Sequence, residues 1–79
     1  MKSDEAVSWI AEVFEEPAGR INAGTLRKEV PGWDSLGTLS LIAALDEKFD
    51  IQLSEKEMGE LGRVNDIIDI LRRKGAVED

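Results

Sequence analysis

Apolar residues recur at helical spacing in three long stretches of this chain, with a short fourth one between the last two. In the first, Val7, Ile10, Ala11 and Phe14 fall on one face, at roughly 100° per residue, and predict a buried stripe. Ala6, Trp9 and Val13 form a weaker second stripe, and Trp9 is expected to pack under the loop that follows. Ser3 is a candidate cap, with Asp4 and Glu5 near the positive end of the helix. Pro17 should stop the helix near Glu16. The second stretch runs from Ser35 to Phe49, with Asp34 placed to accept a backbone N–H from Leu36 or Gly37. Thr38, Leu41, Ile42, Leu45 and Phe49 share its core face. Leu36, Leu39 and Ala43 lie roughly opposite Leu41 and Leu45, together with Ser40 and, further along, Asp46 and Glu47.

After Ile51 and Leu53, Ser54-Glu55-Lys56-Glu57 has the pattern of a capping box and opens a short helix that turns Met58 and Leu61 inward. Gly59 and Gly62 weaken it and make it a candidate mobile element. The last helix, Val64 to Lys74, puts Val64, Ile67, Ile68 and Leu71 on its inner face. Arg63 is a poor cap for its start. Arg72, Arg73 and Lys74 suit its negative end, and Gly75 can close it. Between the first and second helices, Pro17 to Trp33 reads as a long loop rich in turn residues, which Ile21, Leu26 and Val30 are spaced to pin down. The expected fold is all-α: three main helices plus one short helix in a small bundle, forming one domain over residues 1–79.

Composition narrows what such a bundle can do. At 79 residues the core is small. The chain has neither cysteine nor histidine. A thiolate, a disulfide, a Ser-His pair and a His-based metal site are therefore all excluded. Seventeen acidic residues against ten basic ones give a net charge of −7. Neither nucleic acid nor anionic membrane is an expected partner; basic protein surfaces are. No apolar run is long enough to span a membrane, and no signal-peptide pattern opens the chain, so a cytoplasmic protein is expected. The start of a helix at residue 3 and the short tail lead us to expect a stand-alone monomer, with Glu78 and Asp79 frayed.

Two features of the second helix remain unexplained by a core alone. A small surface helix usually has one apolar stripe, so the Leu36–Leu39–Ala43 stripe reads as a partner surface; the alternative is that Leu36 and Leu39 pack under the long loop. Ser35 stands at the helix mouth. Most serines there are only part of a cap. As a nucleophile it lacks an activating histidine, and nothing in the sequence places Lys28 or Lys48 beside it. As an attachment point it fits well, because a phosphate esterified there would meet N-terminal N–H groups and the positive end of the helix dipole. The acidic pairs Glu15-Glu16 and Asp46-Glu47 are better read as solvated surface than as catalytic dyads.

The run Trp33-Asp34-Ser35-Leu36-Gly37-Thr38-Leu39, followed by Leu41-Ile42-Ala43-Ala44-Leu45-Asp46-Glu47-Lys48-Phe49-Asp50-Ile51, resembles an acyl carrier protein. Length, acidity and helix order agree with that family over essentially the whole chain. The resemblance implies that a phosphopantetheinyl transferase attaches 4'-phosphopantetheine to Ser35, with Asp34 supporting the serine and the transferase's metal. The arm's thiol would hold acyl intermediates as thioesters, so the missing cysteine is no obstacle. It also implies a carrier without catalytic residues or metal of its own. Partner enzymes that load and process acyl or aminoacyl groups would recognise Leu36, Leu39, Ala43, Asp46 and Glu47.

The resemblance is imperfect in one respect. Carriers of bulk fatty-acid synthesis typically have acidic residues just after the Asp-Ser-Leu triplet and again one turn later, where this chain has Gly37 and Ser40. Steering near the serine should then be weaker and apolar contact more important, which favours a dedicated biosynthetic pathway over a housekeeping one. Asp34-Ser35-x-Gly37-Thr38 is also similar to D-alanyl carriers, although those commonly have Phe where Leu36 stands. Aminoacyl or peptidyl carriage is the first alternative. A helical adaptor that binds a partner through the exposed stripe without carrying anything is the second.

Overall fold

The computed structural model describes residues 1–79, the side chain of Ala18 excepted. Four helices follow in order: α1 (Ser3–Val13), α2 (Ser35–Phe49), α3 (Glu55–Gly59) and α4 (Val64–Arg73). Among the described residues there is no strand, only one isolated antiparallel bridge between Leu26 and Arg63. The expected all-α bundle of three long helices and one short one is what forms. α1 packs against both α2 and α4. The core between them holds Ile10, Leu41, Leu45, Val64, Ile67, Ile68 and Leu71, all at 2% exposure or less. Each such side chain contributes about 1.5–3 kcal/mol on leaving water.

α1 departs from its expected form at both ends. Ser3 is not the cap: Lys2 occupies that position, and the Lys2 N–H donates to Glu5 Oε1 (2.8 Å). The helix stops at Val13 instead of running to Glu16, because Phe14 turns inward and Glu15 adopts a left-handed φ of 58°. Tertiary packing of Phe14 ends the helix before Pro17 can. Ala6, assigned to the weaker stripe, is fully buried, while Val7 is only half-buried. Trp9 does not lie under the loop. It meets Phe49 edge-on, with ring centroids 5.1 Å apart, and so ties α1 to the end of α2.

The long connection is more ordered than its composition suggests. It contains 3₁₀ turns at Ala18–Arg20 and Arg27–Glu29. Ile21 and Val30 are buried as expected, whereas Leu26 is only half-buried. The loop's backbone is stitched to the segment before and into α4: Arg27 N–H donates to Gly62 O (2.9 Å), Val64 N–H to Thr25 O (2.9 Å) and Asn65 N–H to Ala23 O (2.8 Å). These bonds satisfy polar backbone that a bare loop would leave to water.

The short helix has the capping box read from its sequence: Ser54 Oγ accepts from the Glu57 N–H, and Glu57 Oε1 accepts from the Ser54 N–H (both 3.1 Å). That backbone N–H, aided by the Ser54 hydroxyl, holds the Glu57 carboxyl below its ordinary value. Leu61 is buried and Met58 half-buried. At the start of α4 the cap comes from within: Asp66 Oδ2 accepts from the Gly62 N–H (2.8 Å) and the Arg63 N–H (3.0 Å). α4 ends one residue short of the expected Lys74, and Gly75 closes it with φ of 84°.

The tail is not frayed. Val77 is buried, the Glu78 N–H donates to Met1 O (3.0 Å), and the Ser3 N–H and hydroxyl both donate to the Asp79 carboxylate (2.9 and 3.1 Å). Sequence-local cues could not show this, because the two partners lie at opposite ends of the chain.

Candidate functional site

α2 begins at Ser35 and ends at Phe49, as its periodicity predicts. Asp34 caps it, with Oδ1 accepting from the Gly37 N–H (2.8 Å). The Thr38 hydroxyl donates back to Asp34 O (2.9 Å). These bonds close the first turn and leave the Ser35 hydroxyl out of it. Ser35 is exposed, at the positive end of a four-turn helix. Because the cap is worth about 0.5–2 kcal/mol, Asp34→Ala should lower unfolding free energy by about 1 kcal/mol in urea titration. An unchanged midpoint would show the cap to be redundant.

What holds the turn in place is a backbone contact. Trp33 is buried at 3% exposure and stacks on Phe14, with centroids 5.0 Å apart and planes at 17°. This draws the Pro31–Asp34 segment against both helices so tightly that only glycine fits. A Cβ on Gly32 would sit 2.2 Å from Phe14 O, and a Cβ on Gly37 would sit 1.7 Å from Gly32 O. Gly37 is therefore a packing residue. The sequence suggested only that an acid was missing there. The Trp33 indole N–H is buried with no partner among the described residues, a cost of about 1–3 kcal/mol that the packing of the ring must outweigh.

Arg27 completes the neighbourhood, and sequence reasoning missed it. Its Nε–H donates to Trp33 O (3.3 Å) and Nη2 to Thr38 Oγ1 (3.0 Å), and its guanidinium lies over the Trp33 ring, 5.7 Å from the centroid. One cation in a loop has no signature in periodicity or in a motif. Lys28 and Lys48 are exposed, and Lys48 lies over Phe49 at the far end of α2, about 20 Å along the helix from Ser35. Among the described residues, neither lysine hydrogen-bonds to Ser35.

The second stripe faces solvent. Leu36 is 75% exposed and Leu39 61%, and these are the large apolar side chains left in water. Ser40, Ala43, Asp46 and Glu47 are exposed too, so the stripe is not covered by the long loop. The structure places an apolar strip beside Ser35, with two carboxylates further along it. The core face carries Leu41 and Leu45 fully buried, with Thr38, Ile42 and Phe49 half-buried. Among the described residues no group of three or more metal-ligating side chains gathers, and no helix is long and apolar enough to cross a membrane.

No protein-family model matches the chain. Individual proteins do. It is 44% identical over 43 residues to the acyl carrier protein of Buchnera aphidicola subsp. Acyrthosiphon pisum (strain Tuc7); that match spans 54% of each chain, about half the length of that relative. Two others match along nearly their full length. The acyl carrier protein of Trieres chinensis is 30% identical over 78 residues, covering 94% of this chain and 98% of its own. That of Chlamydia caviae is 31% identical over 71 residues, covering 90% and 92%. The chain belongs to the acyl carrier protein family. The solution structure of a holo acyl carrier protein from Geobacter metallireducens has the same fold, with a TM-score of 0.77 and 27% identity over 94% of this chain and 86% of that one. Within this acyl carrier fold, Ser35 and the strip beside it are exposed and serve neither the core nor the loop.

Proposed function

We propose that this member of the family carries 4'-phosphopantetheine on Ser35 and delivers acyl groups to partner enzymes, without catalysing a reaction itself. The observation that carries this reading is the exposed Ser35 hydroxyl, left out of the hydrogen bonds of its turn while Asp34 does the capping. The residues fit the group. A phosphodiester on that exposed hydroxyl adds its negative charge at the positive helix end, where such a charge gains about 0.3–1 kcal/mol. The bound group supplies a thiol on a flexible arm, which this chain lacks. Asp34 holds the turn so that the hydroxyl is presented in one place, to a phosphopantetheinyl transferase first.

Leu36, Leu39 and Ala43 form the apolar contact for that transferase and for the enzymes that load and process the cargo. Asp46 and Glu47 meet arginines and lysines on the same partners. Leu39→Glu should lower kcat/KM for transfer by about tenfold, the effect of losing one well-packed contact. At 61% exposure, the same change should move unfolding free energy by less than about 0.5 kcal/mol. A matching loss of stability would return Leu39 to the core.

Gly37 and Ser40 leave the first two turns without an acid outside the cap. This supports service in a dedicated biosynthetic pathway, recognised by apolar contact more than by charge, over bulk fatty-acid synthesis. The pattern Asp34-Ser35-x-Gly37-Thr38 favours aminoacyl cargo, including the D-alanyl type, as the second reading. The test of the shared core is intact mass after incubation with coenzyme A and a promiscuous phosphopantetheinyl transferase. A gain of one phosphopantetheine, mapped by fragmentation to the peptide holding Ser35, is expected. A folded protein that gains nothing would overturn the carrier reading and leave the adaptor reading in its place.

A further inference from the structure

Every lysine and arginine of this acidic chain is exposed except Arg27, which is half-buried. A cation withdrawn from water usually has a carboxylate beside it. Arg27 has none within ion-pair distance among the described residues, where the side-chain ion pair found is Arg72 with Asp69. Its bonds go instead to two neutral oxygens, Trp33 O and Thr38 Oγ1, and the remaining donors of the guanidinium carry no carboxylate. Its backbone is fixed by the bond from its N–H to Gly62 O (2.9 Å), and its charge is fixed over the Trp33 ring.

The position of that charge relative to Ser35 follows from the helix. Thr38 is three residues beyond Ser35, so their Cβ atoms lie on one face about 5–6 Å apart. Helical side chains lean toward the N-terminus, and Thr38 does so here, reaching back to Asp34 O. The guanidinium that bonds Thr38 Oγ1 therefore stands beside the Ser35 turn. Asp34 puts a carboxylate on the same turn, and the whole chain is at −7, so a cation close to Ser35 would offset that repulsion and add to the attraction of the helix end for a second anion there.

We propose that Arg27 binds the phosphodiester formed on Ser35, using the guanidinium donors not engaged by Trp33 O and Thr38 Oγ1. The proposal rests on the reading of Ser35 as the attachment site. It assigns Arg27 as a binding residue for the non-bridging phosphate oxygens and makes the long loop part of the cofactor site. A guanidinium suits this place because it can bond two neutral oxygens and still offer a planar pair of donors to a phosphate.

The experiment compares apo and phosphopantetheine-loaded protein, for the wild type and for Arg27→Gln and Arg27→Lys, at low salt. Loading should shift the side-chain Nε–H resonance of Arg27 and leave that of the exposed Arg63 in place. Loading should also raise the melting temperature of the wild type, by roughly 4–8 °C for a domain of this size. Arg27→Gln should lose that gain, Arg27→Lys should keep part of it, and high salt should shrink it in the wild type. Because each variant is referred to its own apo form, a plain loss of stability does not imitate the effect. If Arg27→Gln does not fold, the wild-type resonance still decides. A loaded protein whose Arg27 signal stays put, or whose gain survives Arg27→Gln, overturns the proposal and leaves Arg27 as a tie between loop and helix. Absence of any mass gain would instead remove the reading of Ser35, and this proposal with it.

Discussion

Replacing Gly37 with alanine is expected to destabilise the domain by about 2 kcal/mol, even though alanine is the better helix former. Intrinsic propensity alone would favour alanine by about 1 kcal/mol inside a helix. Against that stands a Cβ 1.7 Å from the Gly32 carbonyl oxygen. The obstacle is backbone, so no side-chain rotation relieves it. Nor can Gly32 retreat, because the same segment is held from behind at Phe14 O and by the buried Trp33 ring. Forcing extra volume into a packed site typically costs about 1–3 kcal/mol and occasionally more. With the propensity gain subtracted, a net loss of about 2 kcal/mol requires the upper end of that range or beyond, as expected where backbone meets backbone.

Such a loss is a large share of the roughly 4–12 kcal/mol that a chain of this length can have in total. It corresponds to a fall in melting temperature of roughly 8–16 °C. Gly59→Ala serves as the internal control. Gly59 is also helical, but a Cβ there meets nothing within 4 Å, so this change should stabilise by about 0.4–1 kcal/mol. Opposite signs for the two glycines, measured by thermal or urea unfolding, are the expected result. Two stabilising substitutions would show that the loop does not lie against α2 as described. Gly37→Asp should be worse than Gly37→Ala, because it adds a carboxylate beside Asp34 as well as the clash. A chain with an acid at this position therefore needs a different course for residues 31–34.

That link was not legible in the sequence. α2 could be read with its limits and its cap because both are local: a 3.6-residue apolar period and an aspartate just ahead of it. The capping box at Ser54 and the closing Gly75 are local in the same sense. What stayed hidden depends on pairs distant in sequence. α1 ends at Val13 because Phe14 turns in to meet Trp33, nineteen positions on. Asp79 is ordered by Ser3. In the sequence Gly37 shows only as a missing acid, because a backbone approach leaves no trace in side-chain patterning. For the candidate site, Ser35, Asp34 and the exposed Leu36 and Leu39 came from motif and periodicity. Arg27 came only from the structure, where burial sets it apart from the other cations.

Ser35→Ala should abolish attachment of the phosphopantetheine arm while changing the unfolding free energy by less than about 0.5 kcal/mol. The separation is possible because the two tasks at this turn belong to neighbouring residues. Asp34 accepts the orphan N–H of Gly37, and Thr38 bonds back to Asp34 O; neither bond involves Ser35. Ser35 is exposed, so its hydroxyl leaves no cavity when removed, and alanine is a better helix former at the same place. The expected mass gain falls from complete to none, with an unfolding curve that overlays the wild type. Asp34→Ala gives the converse pattern: the hydroxyl remains but its turn is loosened, so stability falls by about 1 kcal/mol while loading persists at a reduced rate. If Ser35→Ala still gained the mass, the arm would have to sit on another hydroxyl, and exposed Ser40, five residues further along the same helix, would be the residue to change next. If it unfolded instead, the hydroxyl would be holding the helix start together, and the division of labour between Asp34 and Ser35 would be wrong.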